Sequence, residues 1–312
     1  MSDASPPKQV VEIDASLDGV RLDAAIQRAF GRHSRKTARQ AIIAGTVRLN
    51  GKIVKILART VKTGDKLVID GEAKAPEKVE HFEAKVLFFD RDLLIVNKPA
   101  GLLSERVPWE SGAAIQDVLR DAYGTTHLVH RLDAGTSGVM MLARTEQAAT
   151  GLSDAFRNGQ VEKSYLLLCD GVPGAGEYTG ALGRDNQHAR RFCVRPDGKH
   201  ARTRYLTVKS EGGLALANAR PETGRTHQIR VHFAHGGHPL LGDRLYAGKT
   251  KVEHAGKVAL VSRPMLHAFA LAFAHPRTQK PLRYVVPPPK DFQTLAETLA
   301  LSTDFDALDP LW

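Results

Sequence analysis

The 312-residue chain reads as an α+β protein with a mainly antiparallel mixed sheet in a larger second domain and a small α/β domain before it. Three observations predict this. After residue 84, apolar runs of strand length outnumber helical repeats, and few alternate with helices in the rhythm that parallel crossovers require. The first seventy residues carry a separate succession of helix and hairpin signals. Between them, Gly71-Glu72-Ala73-Lys74-Ala75-Pro76-Glu77-Lys78 is charged, contains proline and lacks an apolar period, which marks a linker over 72–83.

Residues 1–15 begin polar and include Pro6-Pro7, so a flexible tail is expected there. The small domain is expected over 16–71. Leu22, Ala25, Ile26 and Phe30 recur at helical spacing and Gly31 stops that helix; Ser34 caps a second, which runs through Ala38, Ala41 and Ile42 to Gly45. Val47 to Val54 is strand, Asn50-Gly51 turn, strand, and Gly64-Asp65 leads into a last strand over 66–69. Arg32, Arg35, Lys36 and Arg39 gather near the start of the second helix, where backbone N–H groups already favour anions. Residues 1–75 hold 14 Lys and Arg against 8 Asp and Glu, so +6 of the overall +10 sits in this segment. A polyanionic partner is implied, held mainly by the small domain.

The larger domain is expected over 84–290, followed by a C-terminal helix and tail over 291–312. It opens with a hairpin, Val86 to Phe89 and Leu93 to Val96 around Asp90-Arg91-Asp92. Further strands are expected at 127–132, 138–144, 162–169, 202–208, 214–219, 266–273 and 282–286, with helices near 113–122, 145–157 and 226–235, the last capped by Thr226 and ended by Gly236-Gly237.

The run His130-Arg131-Leu132-Asp133-Ala134-Gly135-Thr136-Ser137-Gly138 places an arginine and an aspartate two residues apart where a strand enters a tight turn. Apolar runs on both sides give that turn a rigid support, and its small and hydroxylated residues let a bulky ligand approach the backbone. Taken alone, an Asp-x-Gly-Thr is more often a structural Asx turn. Nine consecutive residues, however, resemble the catalytic signature of the RluA-type RNA pseudouridine synthases. Three other segments resemble the same family: Lys98-Pro99-Ala100-Gly101-Leu102, Lys163-Ser164-Tyr165, and Arg220 to His232 with its His227-Gln228-Ile229-Arg230. Lys199-x-Ala201-x-Thr203 and His267 match it too, as scaffold. After Leu102 the chain departs from the family, reading Leu103-Ser104-Glu105 where a His-Pro pair is usual. Residues 16–70 resemble the S4-type RNA-binding domain through an ordered set that includes Arg21-Leu22-Asp23, Asn50-Gly51 and Gly64-Asp65.

The resemblance implies isomerisation of uridine to pseudouridine in structured RNA, with ribosomal RNA of the large subunit the expected partner. Asp133 would be the catalytic carboxylate, Arg230 its ion-pair partner and Tyr165 the residue against the target base. Arg131 would fill the space left by a flipped nucleotide, flanked by substrate contacts from His130 and Thr136. Arg32, Arg35, Lys36 and Arg39 would hold phosphates. An arginine suits the pairing because it stays charged and its fork fits a carboxylate at two points.

No cofactor is expected, since the chain lacks a glycine-rich nucleotide loop, and no metal. The histidines His227, His232, His235 and His238 lack the acid of a His-Glu-x-x-His arrangement, and Cys169 and Cys193 have no ligand spacing. With no apolar run of membrane length and no signal-like start, the chain is expected to be a cytoplasmic monomer without membrane partners. Two other functions fit less of the sequence: a non-catalytic RNA-binding or ribosome-assembly factor, which leaves Asp133, Tyr165 and Arg230 without purpose, and a metal-dependent RNA hydrolase built on the histidines.

Overall fold

The computed structural model describes residues 9–31, 35–54, 56, 59–69, 84–106, 112–188 and 190–308, which fall into two compact units. The expected linker, Arg32 and Ser34 lie outside the described residues.

The smaller unit runs β1 (Gln9–Glu12), a 3₁₀ turn (Ala15–Leu17), α1 (Leu22–Phe30), α2 (Arg35–Ala44), β2 (Val47–Leu49), β3 (Lys52–Ile53) and β4 (Lys66–Ile69), with an antiparallel sheet in the order β1-β4-β2-β3. Gly31 closes α1 in the left-handed region, and Asn50 and Gly51 both have positive φ, at 52° and 80°, as the twist of a two-residue hairpin demands. Leu22, Ala25 and Ile26 of α1 meet Ala38, Ala41 and Ile42 of α2 in a core closed by Val47, Leu67 and Ile69. One expectation is corrected here. Residues 9–12 are not tail but strand β1, paired with β4 from Gln9↔Ile69 to Glu12↔Lys66. The alternation of Val11 and Ile13 inward explains it: Ile13 is 1% exposed and belongs to the core.

The larger unit contains β5 (Lys85–Phe89), β6 (Leu93–Lys98), α3 (Ile115–Tyr123), β7 (His127–Leu128), β8 (Ser137–Ala143), α4 (Glu146–Arg157), β9 (Glu162–Asp170), β10 (Ala175–Arg184), β11 (Phe192–Val194), β12 (Lys199–Glu211) and β13 (Leu214–Pro221). Then come α5 (Gln228–His235), a 3₁₀ turn (Arg244–Tyr246), β14 (Lys251–His254), β15 (Lys257–Leu260), β16 (Leu266–Ala274), β17 (Pro281–Val285) and α6 (Lys290–Thr298). Eleven strands form one sheet in the order β11-β10-β12-β13-β9-β16-β8-β6-β5, with β17 on β16 and β7 on β8; β14 and β15 form a separate hairpin. Among the pairings of described strands only β8 with β16 is parallel, so the sheet is mixed and mainly antiparallel. Among the described residues no helix is long and apolar enough to cross a membrane.

Strand β8 organises the site. All seven of its residues are buried, and β6 covers one edge from Gly138 to Ala143. Its other edge is divided: β16 pairs with Ser137 and Gly138, and β7 pairs with Leu142 and Ala143. The parallel contact with β16 requires Gly138, whose φ is 117° and whose added Cβ would lie 2.1 Å from the Ala268 carbonyl oxygen. In the gap between the two partners, the Met141 N–H donates to His130 Nε2 at 2.9 Å. A side chain thus takes the place of the next ladder bond, which is why the strand expected over 127–132 ends at Leu128 and residues 129–136 are free to form the turn.

The C-terminal segment belongs to the same core. Phe292, Leu295, Ala296, Leu299 and Leu301 pack with Leu166, Leu168 and Phe269, and Phe305 and Leu308 lie against that cluster, so the expected C-terminal helix is joined to the core of the larger unit.

Candidate active site

Asp133 opens a turn closed by the Thr136 N–H on the Asp133 carbonyl at 3.0 Å. The carbonyls of residues 132–135 are all tied down. Ser104 Oγ donates to the Leu132 carbonyl at 2.6 Å and accepts from the Leu132 N–H at 3.0 Å. Gly101 N–H donates to the Ala134 carbonyl at 2.7 Å, and Arg263 Nη1 to the Gly135 carbonyl at 3.0 Å. Arg263 is itself held by both oxygens of Asp291 in the first turn of α6, so the C-terminal helix braces the loop. Beyond the turn, Ser137 Oγ bonds His267 Nδ1 at 2.9 Å while His267 Nε2 meets the Val286 carbonyl at 2.8 Å. That carbonyl fixes the proton on Nε2, so the Ser137 hydroxyl donates to Nδ1. A carboxylate on so restrained a turn is preorganised.

The loop that departs from the family pattern has two functions in this architecture. Ser104 pins the residue before Asp133, and Glu105 pairs with Arg131 at 3.1 Å, both side chains about half exposed. Lys98, fully buried, donates to the carbonyls of Pro99 at 2.9 Å and Leu102 at 2.7 Å and reaches that of Ala134 at 3.4 Å. Burial lowers its pKa to about 7, opposed by the charge of Asp133 and reinforced by Arg263.

Arg230 comes from α5. Its Nη1 donates to Asp133 Oδ2 at 2.8 Å, while Nε and Nη2 donate to the two oxygens of Asp243 at 2.6 and 2.8 Å. Its guanidinium lies over the Tyr246 ring, 5.0 Å from the centroid. Burial disfavours the charge, but the Asp243 bonds and the charges of Asp133 and Asp243 outweigh it and push the pKa up. The expected pairing of Arg230 with Asp133 is therefore present, and the two-point grip falls on Asp243 instead.

Thr226 is not the cap of α5. The cap is His227, whose carbonyl accepts from the Val231 N–H at 2.9 Å and whose backbone is left-handed at φ 56°. The Gln228 side chain replaces the expected threonine: its Oε1 accepts from the Arg225 N–H at 3.0 Å, and its Nε2 donates to the Arg202 carbonyl and Thr203 Oγ1 of β12 at 2.9 and 3.0 Å. This turn swings His227 Nε2 to 3.9 Å from Asp133 Oδ1. His232 goes instead to Thr203 Oγ1 and His238 to the Asp170 carbonyl, so these histidines do not converge.

Tyr165 lies on β9 against the cluster of Leu167, Ala219, Ile229 and Leu266. Burial, then the charge of Asp133, raise its pKa, so the phenol keeps its proton at neutral pH. Arg131 projects outward, more than half exposed. His130 does not: its ring stacks on Phe156 at 4.6 Å and accepts the Met141 N–H, and burial lowers its pKa to about 3. A neutral acceptor committed to β8 is scaffold, so the substrate contact expected of His130 gives way to a structural one. Thr136 is 2% exposed and contributes its N–H to the turn.

In the smaller unit, Arg39 donates to Asp23 at 2.7 Å, with Arg21 at 3.3 Å and Arg35 at 3.9 Å from the same carboxylate, which is fully buried. Burial raises the Asp23 pKa, but the Arg39 bond and the three arginine charges outweigh it and hold the group below the usual carboxylate range. Arg35 and Arg39 thus share one buried anchor.

The sequence model of the family described as RNA pseudouridylate synthase matches residues 92–235, and that of the S4 domain matches residues 20–67. The chain belongs to the RNA pseudouridine synthases, of the RluA type with an N-terminal S4 domain, and is an isomerase that converts uridine to pseudouridine in RNA. Among its relatives is the ribosomal large subunit pseudouridine synthase D of Xylella fastidiosa, 34% identical over 90% of this chain and 89% of that one. The enzyme of the same name from Zymomonas mobilis is 31% identical over 95% and 99%. The solved structure of human RNA pseudouridylate synthase domain containing 4 superposes with a TM-score of 0.56 at 26% identity, covering 70% of this chain and 94% of that one.

Asp243 and Tyr246 lie beyond the matched segment and were not anticipated from the sequence. The available signal was Gly242-Asp243-x-x-Tyr246, an acid and an aromatic three apart after Leu240-Leu241.

Proposed function

We infer that this isomerase acts on uridines of large-subunit ribosomal RNA, and that Asp133 is the carboxylate that engages the ribose. The observation that carries the reading is the division of labour at Asp133: one oxygen is held by Arg230 at 2.8 Å, and the side chain remains 28% exposed at a rigid turn. Ribosomal RNA is supported by the names of the relatives and by the basic S4 unit, whose phosphate contacts add reach without reading bases.

The reaction breaks the bond from uracil N1 to C1′, turns the base and rejoins it through C5. It imports no atom and changes no oxidation state overall. Asp133 either attacks C1′ or assists loss of a sugar proton to give a glycal, and both routes need an ionised carboxylate. A stacked uridine cannot reach it, so the target is flipped out at a cost of roughly a few kcal/mol. Arg131, exposed beside the site, exchanges Glu105 for RNA and occupies the vacated space. Tyr165, as a neutral phenol, offers a stacking face to the uracil rather than a base.

Asp133→Asn changes charge with almost no change of shape and is expected to keep fold and RNA affinity while abolishing isomerisation. The assay is tritium release from [5-³H]uridine-labelled ribosomal RNA of a strain lacking the gene, with pseudouridine mapping of that RNA against wild type. Turnover near the parent rate removes Asp133 from the mechanism; an unchanged ribosomal map removes ribosomal RNA as the substrate.

A further inference from the structure

The left-handed cap at position 227 is a costly backbone state for a residue other than glycine, and such states persist where surrounding structure holds them. The Gln228 side chain holds this turn, and Tyr246 holds the imidazole it presents. The Tyr246 hydroxyl oxygen accepts from the Phe192 N–H at 3.0 Å and lies 2.8 Å from His227 Nδ1. Since that backbone N–H can only donate, and the phenol has one proton, the proton is free to go to Nδ1. Burial raises the Tyr246 pKa to about 12, so the proton stays on the oxygen at neutral pH. With Nδ1 accepting, the imidazole carries its own proton on Nε2. Burial also lowers the His227 pKa, opposed by Asp133 and Asp243 and reinforced by Arg230, so the ring is neutral. Phe192 and Tyr246 close on the ring edge-to-face, at 5.8 and 5.7 Å.

In that tautomer the ring Nε2 holds its proton 3.9 Å from Asp133 Oδ1, the oxygen that Arg230 leaves free. That is too far for a direct bond and the right span for one bridging oxygen. A bridge between a neutral N–H and a carboxylate must accept from the first and donate to the second, which is the chemistry of a hydroxyl. In a nucleotide within an RNA chain, the 3′ and 5′ oxygens are esterified and only the 2′-hydroxyl can do both. We propose that the 2′-hydroxyl of the target uridine bridges His227 Nε2–H and Asp133 Oδ1, with Tyr246 the positioning residue that fixes the histidine tautomer. The proposal rests on Asp133 being the carboxylate that meets the ribose. It makes the site itself selective for ribose, and it sets the sugar relative to the reacting oxygen before any bond changes.

Two measurements test it. In the full-length free protein, ¹⁵N correlation spectra are expected to show His227 as the Nε2–H tautomer, and Tyr246→Phe to give a mixture of tautomers; a wild-type ring protonated on Nδ1 overturns the proposal without reference to RNA. The second uses product RNAs spanning the mapped site, with pseudouridine or 2′-deoxypseudouridine at the target, neither of which turns over. Wild type is expected to bind the deoxy form about 10-fold more weakly, the size of one good hydrogen-bond pair. His227→Asn, which suits the left-handed backbone and leaves only the bond to Asp133, is expected to show a smaller loss, about 3-fold. An equal loss in both proteins, or none in wild type, refutes the bridge. Loss of turnover in Asp133→Asn alongside such a result leaves the carboxylate assignment standing and removes only the bridge.

Discussion

Replacing Arg230 with alanine strips one cation from between two carboxylates, and their unequal burial sets the outcome. The Asp243 side chain is 1% exposed and takes both Nε and Nη2; that of Asp133 is 28% exposed and takes Nη1. Without the guanidinium, Asp243 becomes a buried charge lacking its partner, and breaking such a pair costs about 3 to 5 kcal/mol. For a unit of roughly 150 to 250 residues each kcal/mol lowers Tm by about 2 to 4 °C, so a fall of about 6 to 20 °C is expected. Asp133→Ala is the control, because Arg230 then keeps its two bonds to Asp243 and Asp133 already meets water; its loss is expected to be about 1 kcal/mol or less. Arg230→Lys should lie between, since an ammonium cannot span both acids with the same fork. Calorimetry at pH 7.5 measures all three, with tritium release as the functional readout, where Arg230→Ala is expected to be inactive. An Arg230→Ala melt within 2 °C of the parent, or Asp133→Ala melting lower, refutes the reasoning.

Removal of residues 1–75 is expected to leave a folded catalytic unit, because the core around Ile26 and Leu67 is built wholly from the smaller unit. Binding to ribosomal RNA should weaken and the slope of log K against log salt should fall by about 0.7 to 0.9 per lost phosphate contact, so an unchanged slope excludes the S4 unit from the substrate. Acidification should destabilise the enzyme through His130 and His267, whose folded pKa values burial lowers to about 3 and about 4. The unfolded chain binds more protons than the folded one between those values and about 6.5, so stability is full above that pH and is lost as pH falls through the window, by up to about 3 kcal/mol per unit for the pair. Urea titrations from pH 7 to 4.5 read this directly, and a flat profile contradicts it.

Where local chemistry decides, the sequence was enough. The α1 repeat, the Gly31 stop, the Asn50-Gly51 hairpin and the strands β8, β9, β13 and β16 all follow from period and turn residues. The errors share a cause in long-range pairing. Gln9 to Glu12 is polar enough to read as tail, and becomes strand because β4 offers an edge. Residues 129–132 read as a continuation of the strand, and leave the ladder because the His130 side chain takes the Met141 N–H that Val129 would have faced. Strand β10 is not legible because glycines break its alternation, and β11 because it has only three residues; β10 forms along β12 and β11 along β10.

The same division runs through the site. Asp133 and Arg230 were legible because each lies in a segment whose consecutive residues serve one purpose, and the structure adds that they meet. Asp243, Tyr246, Phe192 and Arg263 were not legible, because nothing near them in the chain says what they face. Asp243 is thirteen residues beyond Arg230 and grips its guanidinium, while Phe192, on β11, bonds the Tyr246 hydroxyl that lies against His227 Nδ1. Sequence thus carries the groups proposed to meet substrate, and the fold carries the groups that hold and aim them. That places the sharpest test of the site outside its motifs: Tyr246→Phe removes one oxygen, which bonds neither Asp133 nor Arg230, and keeps the ring under the Arg230 guanidinium. It should slow turnover while leaving the Arg230 pair, the turn at Asp133 and RNA binding through the S4 unit as they are.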